Sequence, residues 1–85
     1  MEYLVIAFRS RSHTVKFSVL LQNNGISNEI VNTPKEAGVG CGLSVKVKKE
    51  SYTMVKKVLM QIRPSSFAGV FLVKLISGKR IVRTV

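Results

Sequence analysis

The chain has 85 residues, 46% of them hydrophobic, and 14 Lys and Arg against four acids, for a formal net charge of +10. That length holds one hydrophobic core, so a single domain over residues 1–85 is expected. The hydrophobic content and the presence of only two prolines exclude a disordered chain. No apolar run reaches the length of about 18 residues that a membrane span needs. The start, Met1-Glu2-Tyr3-Leu4, lacks the basic region of a signal peptide. One cysteine cannot build an internal disulfide framework, so a reduced, cytoplasmic setting with no membrane partner is expected.

Glu2 to Phe8 is a nearly continuous apolar run rich in β-formers and reads as a central strand. Ser10 or Ser12 then caps a helix in which Phe17, Leu20 and Leu21 fill the apolar face and Val15, Val19 and Gln22 mark one edge. Asn23-Asn24-Gly25 stops that helix, with glycine just past its end, and a second strand follows from about Ile26 to Val31. Thr33 to Gly42 mixes proline, glycine and polar residues and reads as a loop of about ten residues, a length associated with function.

Leu43 to Lys48 alternates apolar and basic residues, which predicts a strand with one buried face and one wet face carrying Lys46 and Lys48. Glu50 or Ser51 opens a second helix, where Tyr52, Val55, Val58, Leu59 and Ile62 recur at helical spacing while Lys56, Lys57 and Gln61 face away. Arg63-Pro64 ends it. Gly69 to Ile76 makes a last long strand, which Ser77-Gly78-Lys79 can turn back into an optional short tail strand, Ile81 to Val85.

The order βαββαβ, with that optional C-terminal strand, predicts an α+β, ferredoxin-like sandwich: two helices on one face of a four-stranded antiparallel sheet. In the usual strand order the first and third strands are neighbours. Cys41-Gly42, leading into the third, is therefore expected beside Phe8-Arg9-Ser10 at the end of the first, with Pro64-Ser65-Ser66 at the same end.

That edge gathers the residues able to do chemistry. Gly38-Val39-Gly40-Cys41-Gly42 sets three glycines around the only thiol, removing side chains that would bury it and freeing backbone amides to face its sulfur. The competing reading is a buried, inert cysteine packed as a small hydrophobe. Arg9, Arg11 and the amides at the start of the first helix would favour thiolate over thiol, and the two arginines could equally hold an oxyanion; the hydroxyls of Ser10, Ser12 and Thr33 lie in the same region. Solvation alone is the plain alternative for the arginines.

His13 is the only histidine, too few ligands for a Cys/His metal site, and is either an exposed helix residue or a base partner of Cys41. Glu36 is a lone loop carboxylate, available for acid–base work but more simply solvated. No Walker lysine motif occurs, and the glycine run precedes a strand, which argues against a nucleotide cradle.

Phe8-Arg9-Ser10, the helix ending in Asn24-Gly25-Ile26, then Thr33-Pro34-Lys35-Glu36 and, five positions on, Cys41-Gly42-Leu43 resemble the selenium/sulfur carrier protein-like family of small bacterial proteins. The resemblance covers about residues 3 to 48, with Gly69-Val70-Phe71 a weaker echo of the last strand. It implies that Cys41 carries sulfur or selenium as a persulfide or selenosulfide, with Thr33 and Pro34 shaping its loop and Gly40 and Gly42 flanking it. Where many relatives have serines before the cysteine, this chain has Ala37-Gly38-Val39-Gly40, and its basic second half and its extension from Lys74 to Val85 differ from the usual short acidic ending.

The leading expectation is thus a carrier rather than a stand-alone enzyme, working without a cofactor between donor and acceptor proteins. The alternative is a basic RNA-binding module or a small regulatory, dimer-forming one, in which Cys41 is incidental. Lys46, Lys48, Lys74, Lys79, Arg80 and Arg83 favour a polyanion, tRNA included, whereas the absence of tryptophan and the core-like spacing of Phe67 and Phe71 disfavour a base-stacking surface.

Overall fold

The computed structural model describes residues 1–39 and 42–85. The elements are β1 (Glu2–Phe8), α1 (Arg11–Asn23), β2 (Asn28–Asn32), β3 (Leu43–Lys48), α2 (Tyr52–Ile62), β4 (Phe67–Ile76) and β5 (Lys79–Thr84), with short 3-10 turns at Lys35–Ala37 and Lys49–Ser51. The protein is α+β: two helices and one antiparallel sheet in the order β2-β3-β1-β4-β5. The sheet has five strands where four and an optional tail strand were expected, because the tail, from Lys79 rather than Ile81, pairs fully with β4 in the register Ile76↔Lys79 to Phe71↔Thr84. Ser77 (φ 49°) and Gly78 (φ 77°) make that hairpin's turn, both left-handed as a two-residue turn that follows the strand twist requires. No helix among the described residues is long and apolar enough to cross a membrane.

β1 is central, and its alternation separates two cores. Leu4, Ile6 and Phe8 face both helices and pack with Phe17, Leu21, Val45, Val47, Val55, Val58 and Val70. Burying each such side chain is worth about 1.5–3 kcal/mol, which makes this face the main source of stability. The ring of Phe8 sits 5.2 Å from that of Phe17 and 6.1 Å from that of Phe67, joining α1 to the start of β4. Val5 and Ala7 point the other way and form a second, smaller cluster with Phe71 and Val73.

Helix α1 differs from its apolar pattern. Val15 and Val19, expected along the buried edge, are exposed, while Thr14 and Ser18 are buried. Hydrogen bonding explains the exchange. The Ser18 hydroxyl donates to Asn28 Oδ1 at 2.6 Å and the Asn28 amide returns a bond to the Ser18 carbonyl at 3.2 Å, fastening α1 to the start of β2. The helix ends in a Schellman motif: Gly25 (φ 73°) donates to Gln22, and Ile26 donates to Leu21 beside which it packs. That turn consumes Ile26, so β2 begins at Asn28.

The face carrying Lys46 is not simply wet. Its centre is the second cluster, and Lys46 itself is half-buried, paired with Glu29 at 3.3 Å and 4.4 Å above the Tyr3 ring. Lys48 is exposed, as its alternation requires.

Candidate functional site

The connection from β2 to β3 is held at its base, along its length and at its far side. At the base, the Thr33 amide donates to the Gly42 carbonyl at 2.9 Å, and the Thr33 hydroxyl meets the fully buried Ser44 hydroxyl at 2.7 Å. The two ends of the loop are thereby clamped next to each other. Along its length, buried Pro34 starts the 3-10 turn, closed by bonds from Ala37 to Pro34 (3.0 Å) and from Gly38 to Lys35 (3.1 Å), and Gly38 at φ 65° reverses the chain. Ala37 packs on the cluster of Val5, Ala7, Phe71 and Val73, so the loop lies across the sheet face that the helices leave uncovered.

At its far side, Glu36 reaches β5. Its carboxylate accepts two bonds from the Arg80 guanidinium, at 2.8 and 3.1 Å. This fork-on-fork pairing holds the Glu36 carboxyl below its ordinary value of 4.5, so Glu36 is an ionised tether near neutrality and has no proton to give as a general acid. Thr33, Pro34, Lys35, Gly38, Val39 and Gly42 line a shallow, open hollow of about 250 Å³. Gly40 and Cys41, the central residues of the sequence-based site, lie outside the described residues.

The other expected site residues sit where β1 ends and α1 begins. Ser10 caps α1, accepting from the His13 amide at 3.3 Å, and its hydroxyl is 3.0 Å from that of Ser12. One of the helix-start amides expected to face the thiol is therefore already satisfied by Ser10. Arg9 and Arg11 are exposed, and the Arg9 amide donates to the Ser66 carbonyl at 2.7 Å. His13 is neither free nor fully exposed, since its Nδ1 is hydrogen-bonded to the Ser66 hydroxyl.

Two contacts connect this end to the loop. Ala7 pairs with Ser44 across the β1–β3 ladder, and the Thr14 hydroxyl lies 3.3 Å from the Leu43 carbonyl and 3.2 Å from that of Ser10, able to donate to either. The start of β3 thus rests against the first turn of α1. Thr33, Pro34 and Gly42 come together in one loop, and Arg9, Ser10 and Arg11 form a separate group beyond Thr14. Ser66 was expected at this end, whereas Thr14, Ser44 and Arg80, which also organise these groups, are absent from the sequence-based site; a threonine on the otherwise apolar face of α1 was the available signal for Thr14, while Ser44, on the strand face of Lys46 and Lys48, and Arg80 had none. Among the described residues, no three His, Cys, Asp or Glu side chains come close enough to hold a metal ion.

Fold and loop together define a small α+β protein whose β2–β3 connection is clamped at its base and strapped over the open sheet face. The family model described as "Putative Se/S carrier protein-like" matches residues 3–67, and the chain belongs to that family. The match runs from the second residue of β1 to the first residue of β4; the rest of β4 and the whole of β5, with Arg80, lie beyond it. No curated protein matches the chain, and no solved structure does.

Proposed function

We propose that this protein is a cytoplasmic, single-domain sulfur or selenium carrier that holds its cargo on Cys41. The Cys41 thiolate attacks the outer sulfur of a donor protein's persulfide; a new S–S bond forms, the donor's S–S bond breaks, and the donor cysteine leaves as thiolate. Cys41 is left as the persulfide, and an acceptor thiolate or other nucleophile takes the outer sulfur by the same displacement. Selenium follows the same route, with the transferred atom replaced.

The observation that carries this reading is the family match, which includes the whole β2–β3 loop. The clamp between Thr33 and Gly42 supports it, because it holds the two ends of the loop side by side against the buried Ser44. Thr33 and Pro34 shape the loop, while Gly40 and Gly42 flank the thiol without side chains of their own. Arg9, Ser10 and Arg11 are assigned to stabilise the anionic sulfur, supported by the bond geometry that brings the start of β3 to the first turn of α1. The first six elements are assigned to the ferredoxin-like arrangement on the strand order β2-β3-β1-β4, with β5 as an addition at the edge.

The test is incubation with a cysteine desulfurase and cysteine, followed by mass spectrometry. One added sulfur on Cys41, absent from a Cys41→Ser variant, is the expected outcome. No adduct, or the same adduct on the variant, overturns the reading.

A further inference from the structure

The last turn of α2 is flanked by two hollows that meet at Pro64. One, of about 320 Å³, lies between α1 and α2 and is lined by Phe8, His13, Lys16, Phe17, Leu20 and Ile62 together with Pro64. The other, of about 310 Å³, lies between α2 and the start of β4, against Leu59, Met60, Arg63, Pro64 and Phe67. Met60 is 59% exposed, Ile62 43% and Phe67 36%, so apolar side chains at this end stand open to water on both sides of Pro64.

The charged groups around this surface are all of one sign. Lys16 lines one hollow and Arg63 the other. Neither of these cations has an ion pair among the described residues. The chain's four acids are elsewhere. Glu2, Glu29 and Glu50 line a hollow at the opposite end of β1, and Glu36 is bound to Arg80 on the other face of the sheet. Arg63 itself sits at φ 40°, a left-handed position that glycine would occupy without strain, so the turn holds a guanidinium beside the apolar floor at a cost in backbone energy.

We infer that this surface docks an acidic, amphipathic segment of a partner protein, its apolar side chains entering the two hollows and its carboxylates meeting Lys16 and Arg63. Apolar residues three and four apart on one face of a helix suit two neighbouring hollows. Met60 supplies the adaptable, polarisable contact that such grooves use. RNA fits less well, because it has no aliphatic anchor to offer and, of the rings at this end, Phe8 and Phe17 are buried, which leaves the partly exposed Phe67 as a single ring where a stacking surface uses several. A second copy of the chain would bring +10 against +10. The surface contains no residue of the β2–β3 loop, so it stands whether or not Cys41 carries sulfur.

The test is selection of 16-residue peptides from a random phage-displayed library on the intact protein, followed by binding of the selected peptides and of a 20-nucleotide RNA. Enriched peptides are expected to be net acidic with apolar residues at spacings of three and four. Their affinity should fall at least tenfold in Met60→Glu and Arg63→Glu variants, stay unchanged in Lys48→Glu on the opposite sheet face, and shift amide resonances around Leu20, Ile62 and Phe67. The resonance map comes from the unaltered protein and so does not depend on any variant folding. No enrichment, peptides lacking the charge or the spacing, shifts confined to other surfaces, self-association through Met60, or RNA binding tighter than peptide and insensitive to Met60→Glu would each overturn the inference.

Discussion

The two faces of the sheet are closed in unlike ways. On one, two helices bring a continuous set of large side chains down on Leu4, Ile6 and Phe8. On the other, Val5, Ala7, Phe71 and Val73 are covered by one loop, by Val31 and by Val82 of the tail strand. The first is an ordinary core that decides whether the chain folds. The second is a small apolar patch whose cover is the very loop assigned to function, held by a clamp at its base and by one arginine from outside the family match. Stability and loop position are therefore separable properties of this molecule, each with its own residues.

Substitutions on the two faces should separate in size. Phe17→Ala on the helix face is expected to cost about 3–5 kcal/mol in urea denaturation, whereas Val73→Ala beneath the loop, with two methyl groups removed, should cost about 2 kcal/mol. Equal costs would remove the distinction. Ser44→Ala deletes the buried partner of the Thr33 hydroxyl and should cost about 1 kcal/mol. It should also speed amide exchange at Ala37 and Gly38 beyond the global loss, and a purely global effect would place the clamp in the fold rather than in the loop.

Ser77→Asn should raise stability by about 0.5–1 kcal/mol, because asparagine tolerates the left-handed first position of the β4–β5 turn better than serine. It should leave loop exchange unchanged, since the helix-free face already has its strand. Smallest in stability and most specific in effect is Arg80→Ala, expected to lower the unfolding midpoint only slightly, because the pair is open to solvent, while Ala37 and Gly38 exchange faster.

The same tether gives a pH dependence. The Glu36 carboxyl is lowered in the folded protein by its bonds to Arg80, so its contribution is fully present above the ordinary value of 4.5 and is lost as pH falls through the lowered folded value. An NMR titration of the Glu36 carboxyl carbon should find its midpoint below 4.5 in the unaltered protein and raised in Arg80→Ala, which keeps only the smaller lowering from the Glu36 backbone bond and Lys35. A midpoint that Arg80→Ala does not move would mean that the strap is not held by this pair.

Much of the helix-side architecture is legible along the chain, since strand and helix periods there are generated by burial against a neighbour and leave their mark on consecutive residues. β1, β3 and the turn at Ser77-Gly78 fall where alternation and glycine put them. Thr14 and Ser18 break the α1 pattern for a reason that no local window holds: their partners, Leu43 and Asn28, are 29 and 10 positions away. The candidate site divides in the same way. The glycine-rich loop and its cysteine are visible as composition, and the family match follows from the same residues. That the loop lies over Val5 and Ala7, rather than projecting from the sheet edge, is invisible because it depends on Ala37 meeting an apolar patch built by two other strands, β1 and β4.

By itself, the sequence determined the element order, the helix-facing core, the basic charge and the loop that holds the thiol, because each is written in neighbouring residues as period, composition or turn chemistry. Only the tertiary structure decided that the optional tail pairs along β4 as a fifth strand, that Arg80 then meets Glu36 44 positions away, and that Lys16 and Arg63, without an ion pair among the described residues, line the hollows at the exposed apolar end of α2. Those outcomes rest on side chains far apart in the chain arriving at one place, and a pairing across that distance has no period to announce it.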